Sequence, residues 1–253
     1  MNYNQIAETL DLASYKAKAT EQISNSTAIN LEQAYAIQSI SIARRYIRGE
    51  KLLGLKLGFT SKAKMEQMGV HDMIWGRLTD KMFYNNGSAL AIKDFIHPRA
   101  EPEIAFRISK TIDQTITLAN AKDYVDGVAV AIEVIDSRYQ NFKFSLEDVV
   151  ADNCSSAGFT HGDWLPADTN IQDVKMSLSF DGEEVEKGNS NAILGNPWES
   201  FVAAARLARE NGEILNKGAI ILAGAATTAV FIKQGQKVAA HADGLGKVSL
   251  NIV

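Results

Sequence analysis

Cysteine is nearly absent from this sequence. Cys154 is the one cysteine among 253 residues. A single thiol excludes an internal disulfide, and it also excludes a zinc site built on several cysteines. The four histidines lie far apart with no metal-ligand spacing, so we interpret them as surface or core residues. They are His71, His97, His161 and His241.

Long apolar runs and clusters of positive charge are also missing. No stretch reaches the roughly 20 apolar residues needed to span a bilayer. Residues 1–5 lack the basic-then-apolar layout of a signal peptide. The net charge is −4, and no run of Lys and Arg is interleaved with aromatics. Because nothing here attracts nucleic acid or an anionic membrane, we expect a soluble, cytoplasmic protein that binds neither.

The spacing of apolar residues changes along the chain from helical to strand-like. It predicts a helix within residues 4–18 and a second helix over 31–48, the latter capped by Asn30. Most later segments are short and apolar or alternating, which is typical of strands. With no linker or repeat, the sequence predicts one domain over 1–253. Its class is α+β, with a helical portion over 1–50 and a mostly β core.

Three other segments have less regular patterns. Residues 62–68 predict a short helix that begins after Thr60 or Ser61. Residues 112–126 are interpreted as a surface loop and helix. Residues 151–158 are mostly small, so they either let backbone approach a ligand or form a tight packing crossover.

Two glutamates open an apolar, strand-like run. Glu101 and Glu103 are separated only by Pro102, and in a strand their side chains would share one face, with Cα atoms about 6–7 Å apart. Like charges on one face are destabilising unless a cation lies between them. A hard divalent cation such as Mg²⁺ suits carboxylate oxygens and keeps positions open for a substrate. The alternative is a solvent-facing strand edge with two unrelated acids.

Two further charged residues lie inside apolar segments. Glu133 is the one ionisable residue in the strand predicted over 128–135, so it should have a cation or become protonated. Lys56 lies between two leucines in the strand predicted over 51–60. It is either an edge-strand lysine that prevents aggregation or a site residue. Glu133 therefore adds a third carboxylate, on a second strand, to the candidate metal site.

Five short motifs occur in order along the chain. They are GLKLGFTS at 54–61, PRAEPEI at 98–104, VIDSR at 134–138, VADN at 150–153 and DGLG at 243–246. Together they resemble the hydratase/decarboxylase branch of the fumarylacetoacetate hydrolase-like superfamily, and the resemblance runs almost end to end. The branch includes hydratases and decarboxylases of catechol meta-cleavage pathways.

Three stretches resemble the decarboxylases more than the hydratases. They are 62–70, 135–144 and the serine pair at 155–156. Two positions depart from the pattern of the branch. Cys154 stands where alanine is usual, and AGAAT at 223–227 replaces a more common TGGIT. The second departure puts the choice of substrate in doubt.

The resemblance implies a fold with a mixed, mostly β core of the fumarylacetoacetate hydrolase type. It also implies a metal, Mg²⁺ or Mn²⁺, held by Glu101, Glu103 and Glu133. The implied reaction is metal-dependent decarboxylation of 4-oxalocrotonate (2-oxohex-3-enedioate), giving 2-hydroxypenta-2,4-dienoate and CO₂ in aromatic meta-cleavage catabolism.

Four further site residues follow from the implied reaction. Lys56 is the candidate cation beside the oxygen that gains negative charge. Asp80 is the candidate proton-handling group, unless it is only a turn residue. Ser155 and Thr227 are candidates for binding the carboxylate oxygens of a 2-oxo dicarboxylate substrate.

Two other functions stay open at this point. One is hydration of 2-hydroxypenta-2,4-dienoate, and the other is the role of a non-catalytic partner that stabilises such a hydratase. The resemblance makes a complex with the pathway hydratase plausible, and the sequence leaves a homo-oligomer open.

Overall fold

The computed structural model of the protein describes residues 2–61, 65–66 and 72–253, and this part of the chain contains four α-helices and twelve strands. The helices are α1 (Tyr3–Tyr15), α2 (Leu31–Ile47), α3 (Leu146–Ala151) and α4 (Pro197–Glu210). The strands are β1 (Leu52–Gly58), β2 (Ile74–Thr79), β3 (Ala89–Leu90), β4 (Arg99–Ile108), β5 (Val125–Ile135), β6 (Ser156–His161), β7 (Lys175–Phe180), β8 (Glu183–Asn189), β9 (Ile220–Ala225), β10 (Val230–Phe231), β11 (Lys237–Ala242) and β12 (Gly246–Ile252). None of these helices is both long enough and apolar enough to span a membrane.

The N-terminal helices begin as the sequence predicts. At the start of α2 the Gln33 backbone N–H donates to Asn30 Oδ1 at 2.9 Å, and the Asn30 N–H donates to Gln33 Oε1 at 2.9 Å. This reciprocal pair satisfies two N–H groups that a helix end leaves unpaired. Between the helices, the buried Asp11 accepts hydrogen bonds from Arg44 and Arg48. The helical N-terminal portion is therefore confirmed.

The first sheet contains the predicted carboxylate strands. Its order is β2–β1–β9–β4–β5–β6, and β10 pairs with the beginning of β4. Strands β1 and β9 are parallel, and the other neighbours are antiparallel. Glu101 lies directly opposite Glu133, while Glu103 lies opposite Ala131. Strands β4 and β5 both lie inside the sheet, so each is hydrogen-bonded to a neighbouring strand on both sides. The backbone that carries the three carboxylates is therefore held in place.

The second sheet packs against the first to form the core. Its order is β3–β12–β11–β7–β8, in which only β3 and β12 are parallel. One cluster of buried apolar residues joins both sheets and includes Val130 from the first and Leu250 from the second. Helix α4 covers the first sheet, where Trp198 and Phe201 meet the Phe106 ring. The α+β class with a mostly β core is confirmed, and we propose that residues 1–253 form one domain around this core.

Three segments differ from the sequence-based predictions. Strands β2 and β6 had no predicted counterpart, because a strand covered on both faces lacks alternation and β6 is rich in small residues. The surface helix predicted within 112–126 is wrong. Ile112 and Ile116 are buried in the core cluster, and only a 3₁₀ turn occurs there, at Ala121–Tyr124. Apart from residues 65–66, the helix predicted over 62–68 lies outside the described residues.

Candidate metal centre

Three carboxylates from two neighbouring strands meet at one point. Glu101, Glu103 and Glu133 each offer an oxygen atom, and these atoms all lie within 4.8 Å of one another. The side chains of Glu103 and Glu133 are fully buried. Glu103 Oε2 accepts a hydrogen bond from the Gly224 N–H at 2.8 Å. Its other oxygen, Oε1, is buried and has no hydrogen-bond partner among the described residues, so it is available to a cation.

Lys56 supplies positive charge next to this trio. Its Nζ lies 2.9 Å from Glu133 Oε2 and donates to the Cys154 carbonyl oxygen at 3.3 Å. Burial on its own lowers the pKa of Lys56, but attraction to Glu133 and Glu101 outweighs burial, so the pKa is raised. The lysine is therefore a fixed positive charge rather than a proton donor.

The ionised forms of Glu101 and Glu103 are disfavoured by burial and by the neighbouring negative charges. Burial, followed by repulsion from Glu133, raises the pKa of Glu101 to about 8. Burial and the same neighbour raise the pKa of Glu103 well above its usual range. Lys56 neutralises one of the three carboxylates, which leaves two negative charges when all are ionised. A divalent cation with oxygen preference matches this donor set in charge and in chemistry.

A cavity of about 680 Å³ opens beside the trio, and Glu101 is the member of the trio that lines it. Polar groups that line it come from separate parts of the chain: Lys56, Arg99, Glu101, Ser155 and Thr227. Much of the remaining wall is apolar, from Leu57, Ile74, Ile135, Phe142, Phe144 and Val149. The cavity thus has a metal-ligand candidate, Glu101, and two cations, Lys56 and Arg99, beside a largely apolar wall.

A strained turn presents Ser155 to this cavity. Asn153, Cys154 and Ser155 have positive φ angles of 51°, 52° and 59°, a conformation that costs non-glycine residues about 1 kcal/mol or more each. The Asn153 side chain holds the turn against β2, because it accepts from the Arg77 N–H at 2.8 Å and donates to the Arg77 carbonyl at 2.9 Å. Ser155 Oγ is buried and has no partner among the described residues. This orphaned hydroxyl is suited to a ligand oxygen.

Of the two remaining predicted site residues, Thr227 lies at the cavity and Asp80 does not. Thr227 lines the cavity, and its Oγ1 donates to the Thr228 carbonyl at 3.1 Å. Asp80 is exposed, does not line the cavity, and accepts a hydrogen bond from the Lys51 N–H at 2.8 Å. The β1–β2 pairing places it beyond Leu52, roughly 13 Å along the strand from Lys56. This geometry favours the turn-residue alternative for Asp80 over the proton-handling role.

Comparison with known proteins identifies the family. The model of the fumarylacetoacetate hydrolase C-terminal domain matches residues 51–253. The chain belongs to the fumarylacetoacetate hydrolase family. A 4-oxalocrotonate decarboxylase from a Pseudomonas species is 47% identical over 251 residues, which covers 99% of this chain and 98% of that relative. A 2-keto-4-pentenoate hydratase from Burkholderia vietnamiensis (strain G4) is 37% identical over 220 residues, covering 85% of this chain and 83% of the hydratase.

A solved member of the fumarylacetoacetate hydrolase family has the same fold over nearly its whole length. It is the 4-oxalocrotonate decarboxylase from Pseudomonas putida G7 complexed with magnesium and adipate, with a TM-score of 0.94 at 33% sequence identity. The match covers 99% of this chain and 97% of that protein. The family resemblance and fold expected from the five sequence motifs are confirmed.

In the present chain, two of the five sequence motifs hold the metal centre in place through Arg138. The sequence analysis assigned no role to this arginine. The Arg138 guanidinium pairs with the Asp152 carboxylate and donates from Nη1 to the Ser156 carbonyl oxygen at 2.9 Å. Ser156 Oγ in turn donates to Glu133 Oε1 at 3.3 Å. Arg138 and Asp152 are both buried. The signal in the sequence was charged residues directly after apolar ones in two of the motifs, VIDSR and VADN, because charges that become buried require partners.

The raised pKa of Glu101 predicts that Mg²⁺ binding to the metal-free protein strengthens as pH rises. Below about pH 8 this carboxyl holds a proton that the metal must displace. For each pH unit below that value, the apparent affinity for Mg²⁺ should therefore fall about tenfold if one proton is displaced, and about a hundredfold if two are displaced. Calorimetric titrations with Mg²⁺ between about pH 6 and pH 9, in two buffers of different ionisation enthalpy, measure the affinity and the protons released. An affinity that stays constant over this range would contradict the prediction.

Proposed function

We propose that this protein is a Mg²⁺-dependent carboxy-lyase that converts 4-oxalocrotonate into 2-hydroxypenta-2,4-dienoate and CO₂ in aromatic meta-cleavage catabolism. The observation that carries the proposal is the trio of Glu101, Glu103 and Glu133 beside Lys56, at the base of a cavity large enough for a small dicarboxylate. The decarboxylase relatives support it, and one of them is complexed with magnesium and a dicarboxylate.

The carboxylate trio is the proposed metal site. Glu101 and Glu103 on β4 and Glu133 on β5 would hold Mg²⁺, with the buried free Oε1 of Glu103 as one ligand atom. Mg²⁺ bound there supplies Lewis acidity to a 2-oxo acid. Because the ligands stand on paired strands, their positions need little reorganisation during the reaction.

Lys56 is the proposed electrostatic catalyst. When the C5–C6 bond breaks, CO₂ leaves and the bonding electrons move through the C3–C4 double bond to the oxygen at C2. That oxygen gains negative charge, which the Lys56 ammonium can stabilise. The contact of its Nζ with Glu133 Oε2 at 2.9 Å holds the lysine in place. Water can supply the one proton that completes the enol product.

Ser155 and Thr227 are the proposed binding residues for carboxylate oxygens. The Ser155 hydroxyl lines the cavity and has no hydrogen-bond partner in the part of the chain that the structure describes, so a substrate oxygen would satisfy it. Thr227 contributes a second hydroxyl on the same cavity. The apolar wall formed by Phe142, Phe144 and Val149 keeps water away from the reacting chain and favours loss of the charged carboxylate as neutral CO₂.

Incubation of the protein with Mg²⁺ and 4-oxalocrotonate tests this function directly. We expect CO₂ release in equal amount to substrate lost, together with the ultraviolet absorbance of the conjugated dienoate. A chelator should stop the reaction, and added Mg²⁺ should restore it.

The hydratase alternative is kept because a hydratase relative covers most of the chain. It predicts no CO₂ from 4-oxalocrotonate and consumption of 2-hydroxypenta-2,4-dienoate instead. If the protein catalyses neither reaction but raises the activity or stability of a pathway hydratase, a non-catalytic partner role replaces both enzymatic readings.

We further propose that the enzyme acts in the cytoplasm beside a hydratase. The enol product of the decarboxylation is the tautomer of the 2-keto-4-pentenoate named for the hydratase relative, so the two reactions are consecutive. Co-purification of this protein with a pathway hydratase, followed by measurement of the mass of the complex, tests the association and reports any homo-oligomer.

A further inference from the structure

Arg99 lies in the active-site cavity with two aromatic rings packed against its guanidinium group. Its Cζ lies 3.9 Å from the centre of the Phe142 ring and 4.1 Å from the centre of the Phe231 ring. Arg99 and Phe142 both line the cavity that contains Glu101. The two rings stand at 79° to each other, so cation–π contacts restrict the guanidinium group from two directions.

Arg99 differs from the buried arginines Arg77 and Arg138 in its hydrogen bonding. Arg77 pairs with Glu213, and Arg138 pairs with Asp152. Arg99 Nε, in contrast, is buried and donates to no partner among the described residues. Aromatic rings cover the faces of a guanidinium but satisfy none of its edge N–H groups, so an in-plane acceptor is required.

The position of Arg99 indicates which acceptor that is. Arg99 precedes Glu101 by two residues on β4, so the two side chains share a face, with Cα atoms about 6–7 Å apart. A 2-oxo acid end at the carboxylate trio would then leave the other end of a short chain near Arg99. An arginine edge binds a carboxylate through two parallel hydrogen bonds, which is a geometry that few other anions match.

We infer that Arg99 binds the second carboxylate of the substrate and selects 2-oxo dicarboxylates over 2-oxo monocarboxylates. The identity of that group as the one lost as CO₂ rests on the proposed function. Arg99 pairs with the carboxylate before its charge is lost, so it contributes to binding more than to the rate of bond cleavage.

Calorimetric binding to the Mg²⁺-loaded protein tests this inference without turnover. The probes are 2-oxoadipate and 2-oxohexanoate, which have the same chain length and differ by one carboxylate. Neither has the C3–C4 double bond that the decarboxylation uses. The wild-type protein should bind 2-oxoadipate at least about tenfold more tightly. Arg99→Gln should remove that preference while 2-oxohexanoate affinity changes less than about twofold, and Arg99→Lys should keep part of it.

Arg107→Gln is the matched control. Arg107 lies on the same strand, contacts the Trp164 ring and pairs with Asp126, but it does not line the cavity. Its variant should keep the wild-type preference. The inference is overturned if the wild type has no preference, if Arg99→Gln retains it, or if Arg99→Gln weakens both probes equally. A protein that releases no CO₂ but shows the Arg99-dependent preference would overturn the proposed function alone.

Discussion

Glu103→Gln is expected to lower Mg²⁺-dependent decarboxylation by at least about 10²-fold. Loss of a residue that only supports a metal ligand costs about 10–100-fold in metal affinity or activity, and a ligand should cost more. The substitution keeps the size of the side chain and leaves an oxygen to accept from the Gly224 N–H. It removes the negative charge that the metal needs. Initial rates of CO₂ release at several Mg²⁺ concentrations measure the effect.

Thermal melting separates loss of the site from loss of the fold in Glu103→Gln. Mg²⁺ should raise the Tm of the wild-type protein, since a ligand that binds only the folded state stabilises it. In the variant this rise should be absent. The metal-free Tm should not fall, because the raised pKa of Glu103 keeps its carboxyl protonated without the metal, and the glutamine amide is equally neutral. Glu184→Gln, on a strand of the other sheet with 39% of its side chain exposed, should behave like the wild type. Full activity in Glu103→Gln would refute the metal site.

Lys56→Met is expected to lower kcat by about 10²–10³-fold while Mg²⁺ still binds. This decrease in kcat is the one expected when an enzyme loses one preorganised group that stabilises a developing negative charge. The metal-free variant should also lose about 3 kcal/mol or more in the free energy of unfolding, because Glu133 stays buried without its cation. Mg²⁺ should restore much of that loss. Steady-state kinetics and denaturant unfolding with and without Mg²⁺ measure both effects.

A surface lysine provides the comparison for Lys56. Lys187 pairs with Glu184, but 79% of its side chain is exposed. An exposed pair contributes about 1 kcal/mol or less, so Lys187→Met should change neither kcat nor the stabilisation by Mg²⁺. If Lys56→Met lowers stability but leaves kcat unchanged, Lys56 is a structural counter-ion and not an electrostatic catalyst.

The candidate metal residues were predictable because each was anomalous in its local pattern. Two glutamates spaced by two must share one face of a strand, whatever the rest of the fold does. Glu133 and Lys56 stood out because apolar strands exclude unpaired charge. The structure brings all four together. Their catalytic and metal-binding roles remain predictions that the variants above test.

The errors and omissions came from residues whose importance depends on their neighbours in space. Asp80 was proposed because the implied reaction needs a proton-handling group, but antiparallel pairing of β1 with β2 places it at the far end from Lys56. Arg99 is an ordinary charged residue at a strand start until the fold packs Phe142 and Phe231 against its guanidinium group. No local pattern distinguishes such residues, because burial by distant segments creates their chemistry.

The sequence by itself determined the α+β class, the helical N-terminal portion, the family and the three carboxylates, since period, charge inside apolar segments and motif order are local properties. Only the tertiary structure decided that Glu101 lies opposite Glu133, that Lys56 contacts Glu133 from another strand, and that the strained turn at 153–155 presents Ser155 to the cavity. Strand register and sheet order are set by the packing of the whole core, and distances between side chains follow from them.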